Sequence, residues 1–335
     1  MNRITRLAWF AFVCPLLNSA QTPAPTVPVR MLVSVGHYHS DRSPTLRRDD
    51  LIVTLHGEPI RITNLTPLRG DRGSLQLFVL VDDCSNWEPG YGFEELRRFI
   101  LSRPSATAVG VANIQDGRLQ VAENPTKDHE RAAKVLNTRA GCKPSSPFVA
   151  LTKLIRDWPQ GSSRRAVLLI SNGVDPTARE QMPVPSAQAA IEASQRAGVT
   201  LYALYHPSAD YRTTASSRHH LGQIQLAHVA VETGGEAYFS GLGPVPLLSP
   251  LLADIADQLA NQYLVEFVAP PADGSGALQE VAIHSATIRE TELTAPYKVW
   301  VPGQERSRLS DRDDGLCRRS GKCRTTAQSF SSAFE

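Results

Sequence analysis

The chain has 335 residues, of which 41% are hydrophobic, and its formal net charge is +2. This length exceeds one average domain, so one large domain plus a smaller one is expected, with ample apolar residues for a core. The small net charge gives no electrostatic reason to expect a nucleic acid or an acidic membrane surface as partner.

Residues 1–20 have the pattern of a secretory signal peptide. Two arginines precede the apolar run 7–17, and small residues follow it up to Ala20. The run is shorter than the roughly 20 residues that a membrane helix needs, and no later segment of the sequence predicts a transmembrane helix. We therefore expect cleavage after Ala20, export to the periplasm or the medium, and a Pro-rich linker over residues 21–28.

The cysteines bear on the same question, because an exported chain meets oxidising conditions. One of the five lies inside the predicted signal peptide, which leaves four in the mature chain. Four cysteines allow three pairings. The mature cysteines are Cys84, Cys142, Cys317 and Cys323.

Residues 29–70 predict a β-rich N-terminal flank. The segment 29–38 is typical of a strand, and segments 51–55 and 60–65 enclose the turn sequence His-Gly-Glu-Pro, which predicts a hairpin.

Residues 74–268 predict an α/β domain. Apolar strand-like segments alternate with helical periodicity, and this alternation is typical of a doubly wound, mainly parallel sheet flanked by helices. Ser146 followed by proline predicts the start of one helix, and Ser186 is expected to cap another that ends at Gly198. The predicted strands are 75–81, 108–114, an antiparallel edge at 118–121, 166–170, 199–205, 237–239 and 263–268.

Residues 269–302 predict a β-rich C-terminal flank, and residues 303–335 a polar, flexible tail. Because the two flanks bracket the α/β domain, we hypothesise that they pair into one small sandwich with the α/β domain inserted between their strands.

The predicted strand 75–81 runs directly into the polar sequence Asp-Asp-Cys-Ser-Asn-Trp. Open α/β sheets place their binding sites at the carboxyl ends of such strands. The sequence therefore points to this edge of the sheet as the candidate site, with Asp82 and Asp83 at its centre.

The order of these features resembles a von Willebrand factor type A (VWA) domain over residues 75–268. That family binds Mg²⁺ at a metal-ion-dependent adhesion site, built from an Asp-x-Ser-x-Ser motif after the first strand, a hydroxyl from a later loop, and a Thr-Asp-Gly-like turn. Residues 82–86, 142–146 and 168–173 resemble these three parts.

The flanks resemble a narrower set of exported bacterial proteins, the VWFA-related acidobacterial family. The similarity lies in segment 50–60, before the domain, and in Gln-Tyr-Leu-Val at residues 262–265.

The adhesion motif departs from the family pattern in either of two registers. With Asp82 as the first acid, Cys84 and Asn86 stand at the serine positions. With Asp83 first, Ser85 matches but the second serine position is occupied by tryptophan. A neutral thiol is a poor ligand for Mg²⁺.

The other two parts also differ from the family. Asn172 stands where the family has Asp, although Asp175 is close enough to compensate for the lost charge, and Ser145 or Ser146 can supply the loop hydroxyl. We expect a degenerate site in which the polar turns tie loops together. An intact Mg²⁺ site and a weak or Ca²⁺-tolerant site remain the alternatives.

The resemblance also implies a disulfide pairing, because the first turn and the hydroxyl loop face each other in that fold. It suggests a Cys84–Cys142 bond that replaces the metal as a clip, which leaves Cys317 and Cys323 to pair in the tail. Free thiols are the alternative.

The resemblance implies a non-enzymatic function, in which an unidentified protein ligand binds at the top of the sheet. Trp87 and Tyr91 are candidate contact residues there. The alternatives are a structural or assembly component of the cell envelope and an enzyme with an unrecognised site. Neither a Gly-rich phosphate loop nor a Gly-x-Ser-x-Gly motif is present.

Overall fold

The computed structural model of the chain describes residues 25–37, 45–83, 92–136, 145–159, 161, 163–178, 183–207, 216–239, 247–286 and 291–304. The helices are α1 Gly92–Leu101, α2 His129–Lys134, α3 Pro147–Asp157, α4 Pro185–Ala197, α5 Ser216–Glu232 and α6 Ser249–Ala260. The strands are β1 Val27–His37, β2 Leu51–Leu55, β3 Glu58–Ile60, β4 Ile62–Pro67, β5 Leu75–Asp82, β6 Thr107–Gln115, β7 Arg118–Thr126, β8 Arg164–Ser171, β9 Val199–Tyr205, β10 Ala237–Tyr238, β11 Gln262–Ala269, β12 Gly276–Ser285, β13 Thr291–Thr294 and β14 Lys298–Pro302.

The central sheet has six strands in the order β10-β9-β8-β5-β6-β7. All neighbours are parallel except β7, which runs antiparallel to β6. The sheet is therefore mixed, doubly wound and mainly parallel, as the alternation of elements predicts, and the strand order reverses between β5 and β8.

Helices cover both faces of the sheet. Along β5, Leu77 and Val79 face the core under α1, α2 and α6, whereas Phe78 and Leu80 face the core under α3, α4 and α5. This explains why the strand is apolar at every position from Leu77 to Val81, since both of its faces are covered. In the described part of the chain, no helix is long and apolar enough to cross a membrane.

The two flanks form one β-sandwich of two four-stranded sheets, ordered β13-β1-β11-β4 and β14-β12-β2-β3. Strands from before and after the α/β unit pair directly, as Val281 of β12 does with Leu55 of β2. Both sheets contribute to a single core, with Val33 and Tyr263 from one and Val53 from the other. The structure thus has the hypothesised sandwich, with the α/β unit inserted between β4 and β11.

The prediction that segment 263–268 belongs to the α/β sheet is wrong. Strand β11 pairs antiparallel with β1 and with β4, inside the sandwich. The physical reason is visible in its alternation, because Tyr263 and Phe267 are buried whereas Glu266 reaches the side of the sheet where it bonds Arg30. A strand covered on both faces would lack such a charge.

The predicted hairpin is only half correct. Strand β2 turns at His56 and Gly57, both with positive φ, into the short strand β3. The chain then changes sheets near Arg61, and β4 pairs with β11 instead of extending the hairpin.

Arg164, at the start of β8, contacts both places where the chain crosses between the sandwich and the α/β unit. Its Nη2 donates to the carbonyl of Gly73 at 3.3 Å, just before β5, and its Nη1 donates to the carbonyl of Leu259 at 2.6 Å, just before β11. Nη1 also donates to the side-chain oxygen of Gln262. Burial lowers the pKa of Arg164 to about 10, so the guanidinium remains charged at neutral pH.

The side chain of Gln262 continues this network into both units. Its Nε2 donates to Ser34 Oγ of β1 at 3.1 Å and to the hydroxyl of Tyr202 in β9 at 3.4 Å. A chain of polar contacts therefore runs across the junction between the sandwich and the α/β unit.

Replacing Arg164 with methionine should destabilise the protein markedly. The apolar stem is retained, but two carbonyls and the Gln262 amide oxygen lose a charged donor, which costs about 2–3 kcal/mol of unfolding free energy. Urea unfolding followed by circular dichroism measures this. Arg156→Met, at an exposed position near the end of α3, is the matched control; equal losses in the two variants would contradict the role of Arg164.

Candidate functional site

The carboxyl ends of β5 and β8 meet at the point where the strand order reverses. Val81 pairs with Ile170, so the next residues, Asp82 and Ser171, are neighbours. Ser171 Oγ donates to Asp82 Oδ2 at 2.7 Å, and both residues are buried. The first acid of the predicted motif is thus hydrogen-bonded to the adjacent strand.

The second acid, Asp83, contacts the strand on the other side. Its Oδ1 accepts from Asn113 Nδ2 at 3.1 Å, and its backbone N–H donates to the carbonyl of Ile114 at 3.3 Å. Asp82 and Asp83 therefore bond toward β8 and β6 respectively.

The turn after β8 is closed by its own polar side chains. Ser171 Oγ accepts from the N–H of Gly173 at 3.1 Å, and Asn172 Oδ1 accepts from the N–H of Val174 at 2.8 Å. Gly173 has φ +69°, and a Cβ there would lie 2.2 Å from the carbonyl oxygen of Gly222 in α5. Only glycine fits this backbone-to-backbone contact.

Asp175 is the centre of a second network. Its Oδ1 accepts from Thr177 N at 2.8 Å and from Thr177 Oγ1 at 2.6 Å, and its Oδ2 accepts from the hydroxyl of Ser186. Ser146 Oγ donates to Ser186 Oγ at 3.3 Å. Burial raises the pKa of Asp175, but hydrogen bonds from Ser186, Thr177 and Ser146 together hold this pKa below its ordinary value of 3.8.

The two serines of the hydroxyl loop have different environments. Ser146 is the N-cap of α3, as the sequence predicts, and its Oγ accepts from Val149 N at 3.4 Å. Ser145 lies against the β6–β7 turn at Gly117, and its buried Oγ has no hydrogen-bond partner in the described part of the chain.

Ser186 does not cap its helix as expected. Helix α4 begins at Pro185 with Val184 as N-cap, which places Ser186 inside the first turn. Its hydroxyl donates to the Asp175 carboxylate, and a hydrogen bond to a charged acceptor is stronger than the neutral bond of a cap. Gly198 does end the helix, in the left-handed conformation.

The structure brings together two of the predicted site residues, Asp175 and Ser146, through Ser186. Of the partners of the two motif acids, Ser171 lies in the predicted turn 168–173 but was not named as a site residue, and Asn113 was missed by sequence reasoning. Each is a polar residue near the end of a strand that neighbours β5, so the sheet order, once known, identifies them.

Several predicted residues lie outside the described part of the chain, and the predictions on them stay predictions. They are Ser85, Asn86, Trp87, Tyr91 and the cysteines Cys84, Cys142, Cys317 and Cys323.

Several oxygens that a Mg²⁺ ion at this edge would need already accept hydrogen bonds within the protein. Mg²⁺ requires near-octahedral oxygen ligands, but Asp82, Asn172 and Asp175 all accept hydrogen bonds from neighbouring groups. Among the described residues, no group of three or more His, Cys, Asp or Glu side chains is arranged to hold a metal ion.

No family model and no curated protein matches the chain. Among solved structures, it is similar to mussel byssus proximal thread matrix protein 1, at 15% identity and TM-score 0.41, covering 56% of this chain and 48% of that one. The chain thus spans about half the length of the mussel protein.

Two further solved structures are von Willebrand-type proteins. One is the ArnB paralog VWA2 from Sulfolobus acidocaldarius, at 8% identity and TM-score 0.36, covering 83% of this chain and 76% of that one. The other is the vWF domain of the type V pili tip protein Mfa5 from Porphyromonas gingivalis, at 9% identity and TM-score 0.41, covering 54% and 93%.

Replacing Asp175 with asparagine should change how stability depends on pH. The lowered pKa means that the folded carboxyl holds its proton less tightly than the unfolded one, so its stabilising contribution is complete above the ordinary value of 3.8 and is lost as the pH falls through the lowered pKa. We expect a loss of about 2 kcal/mol at neutral pH, with the two stability curves converging in acid. The urea midpoint of each variant, measured from neutral pH down to below 3.8, gives this pH dependence of stability. Asp273→Asn, at an exposed position, is the control. Parallel curves would contradict the assignment.

Replacing Gly173 with alanine should be more harmful than the same change at another glycine of positive φ. Gly57 has φ +83° and open space around it, so alanine there costs only the left-handed strain of about 1–2 kcal/mol. At Gly173 the new Cβ also meets the Gly222 carbonyl. The thermal unfolding midpoints of Gly173→Ala and Gly57→Ala compare the two positions. Equal decreases in the midpoint would show that the contact of Gly173 with α5 is unimportant.

Proposed function

We propose that this chain is an exported protein-binding module, which recognises its partner at the carboxyl edge of the central sheet without a bound metal. The observation that carries the proposal is the hydrogen bond between Ser171 and Asp82 at the reversal of strand order. Ligands of doubly wound sheets bind at this position, and here the acid is already bonded to its neighbour.

The networks around the two turns support a metal-independent site. In an adhesion site of the resembled family, a cation would hold the loops together. In this chain, Ser171 bonds the first turn to β8, and Ser186 and Ser146 bond Asp175 to α4 and α3. These contacts link the same loops that a cation would link, which supports a site that needs no ion.

The finer identity that we propose is a VWA domain with a degenerate adhesion site, of the exported acidobacterial type. It rests on the motifs at residues 82–86 and 168–173 and on the flank segments 50–60 and 262–265. Export rests on the signal pattern of residues 1–20. Trp87 and Tyr91 are the proposed contact residues, because large aromatic side chains often dominate binding energy.

Titration calorimetry of the oxidised chain without residues 1–20 tests the metal-free character. Because the described oxygens are engaged, we expect no saturable heat with Mg²⁺, Mn²⁺ or Ca²⁺, and no difference between the wild type and Asp82→Ala. Peptide mapping of the same sample determines whether Cys84 and Cys142 are joined. Saturable Mg²⁺ binding that Asp82→Ala abolishes would overturn the proposal.

Cross-linking with mass spectrometry tests the binding function. The wild-type chain, presented to secreted and envelope proteins of its source cell, should capture the same partner in EDTA and in Mg²⁺. Trp87→Ala should lose this partner, whereas Tyr297→Ala, an exposed aromatic of the sandwich, should keep it. Release by EDTA would contradict the metal-free character of the site. Equal capture by Trp87→Ala and Tyr297→Ala would contradict recognition at the carboxyl edge, and capture of no partner by the wild type would favour a structural role.

A further inference from the structure

A cavity of about 530 Å³ lies where the amino-terminal edge of the central sheet meets the sandwich. The end of α4 and the start of β9 form one wall, and β1, β11 and β14 form the others. Strands β8 and β9 begin here, so the cavity is at the opposite edge of the sheet from Asp82. Its size and its position at a junction of two units are typical of small-molecule sites.

The charged residues that line this cavity are all positive; no Asp or Glu side chain is among its lining residues. The positive residues are Arg30, Arg72, Arg164, Arg196 and Lys298. Glu266 neutralises Arg30, with Nε and Oε1 2.8 Å apart. The other four have no ion-pair partner in the described part of the chain.

Arg164 contributes a buried charge that meets only neutral acceptors. Its terminal nitrogens donate to Gly73, Leu259 and Gln262, and its buried Nε has no hydrogen-bond partner among the described residues. Three carboxylates bond or face residues of the cavity wall. Glu266 bonds Arg30, Glu232 accepts from Gln195 Nε2 at 3.3 Å, and Glu280 is the cross-strand partner of Lys298 and bonds the hydroxyl of Tyr297. Five cations line the cavity against these three carboxylates, so an excess of positive charge remains.

Trp300 provides an aromatic surface beside these charges. The guanidinium carbon of Arg196 lies 4.2 Å from the centre of its ring. A Cβ on Gly276 would lie 2.5 Å from the same ring, so the absence of a side chain at Gly276 makes room for the indole. The ring and the cation are thus held together at the cavity wall.

The remaining lining combines hydroxyl groups with apolar side chains. Ser74, Ser163 and Thr200 are among the polar residues, and the apolar ones are Met31, Leu32, Leu68, Val199, Leu264 and Val299. A ligand that complements this surface needs an apolar body as well as a negative group.

We propose that this cavity binds a small organic anion with an aromatic or apolar body and a carboxylate, sulfonate or phosphate group. Arginine suits such a ligand because its planar fork of donors matches these anions and its face stacks on aromatic rings. The anion lies toward Arg164, Arg196 and Lys298, and the ligand body packs against Trp300. This site is independent of the proposed function at the other edge of the sheet.

A pair of fluorescent probes that differ only in charge tests the proposal on the full chain. 8-Anilinonaphthalene-1-sulfonate carries a sulfonate, and N-phenyl-1-naphthylamine is the same molecule without it. We expect one saturable site for the anion, bound at least about tenfold more tightly than the neutral probe. Added salt should weaken the binding of the anionic probe and leave the binding of the neutral probe unchanged. Equal affinity for the two probes, or no saturable binding of the anion, would overturn the proposal.

Two variants locate the bound probe. Arg196→Gln should weaken the affinity for the anionic probe about tenfold and leave the affinity for the neutral probe within about twofold of the wild-type value. Arg118→Gln, at an exposed arginine of β7, should change neither. Equal effects of the two variants would place the probe elsewhere.

Thermal unfolding must accompany each variant, because the sulfonate probe also binds partly unfolded chains. If Arg196→Gln lowers the unfolding midpoint, Lys298→Gln replaces it as the decisive variant, with the same expected loss of anion affinity. Inorganic phosphate should compete only weakly, because it lacks the apolar body. Strong competition by phosphate would show that the site recognises the charge alone and would refute the proposed ligand class.

Discussion

Arg164 places one half-buried positive charge between the two points at which the chain crosses from the sandwich to the α/β unit. A buried charge is costly unless polar groups replace its lost water. Here the carbonyls of Gly73 and Leu259 and the side chain of Gln262 replace it, and these three groups lie at the two crossings themselves. The two terminal nitrogens keep all their acceptors only when both crossings are in place, so this side chain links the sandwich to the α/β unit beside the cavity.

The two edges of the central sheet differ in how their charges are compensated. At the carboxyl edge, Asp82 and Asp175 accept hydrogen bonds from serine and threonine hydroxyls, so their charge is met inside the protein. At the amino edge, Arg196 and Lys298 form no ion pair among the described residues, although Glu280 is the cross-strand partner of Lys298. The first arrangement stabilises loops that a protein partner can contact, and the second leaves a positive potential that attracts an anion.

Much of the α/β unit could be predicted from the sequence, but less of the candidate site could. The continuously apolar runs 77–81 and 166–170 predict strands buried on both faces, because few other structures accommodate them. In segment 263–268, Glu266 is a local sign that one face of the strand is not covered, but its pairing with β1 and β4 depends on long-range packing. The same limit explains why the bond between Ser171 and Asp82 was not predicted, since it exists only through the register of two strands that are distant in sequence.

The hydrogen bonds that the carboxylates accept also determine which contacts can supply binding energy at the carboxyl edge. A cation shared with an acidic ligand group would require oxygens that are free to coordinate, whereas Asp82, Asn172 and Asp175 already hold the turns in shape. A partner must then gain affinity from side-chain contacts and from burial of apolar surface. Affinity of that kind depends little on salt, whereas binding of an anion beside Arg196 and Lys298 depends on it strongly. Ionic strength therefore separates the two proposed sites on the same molecule.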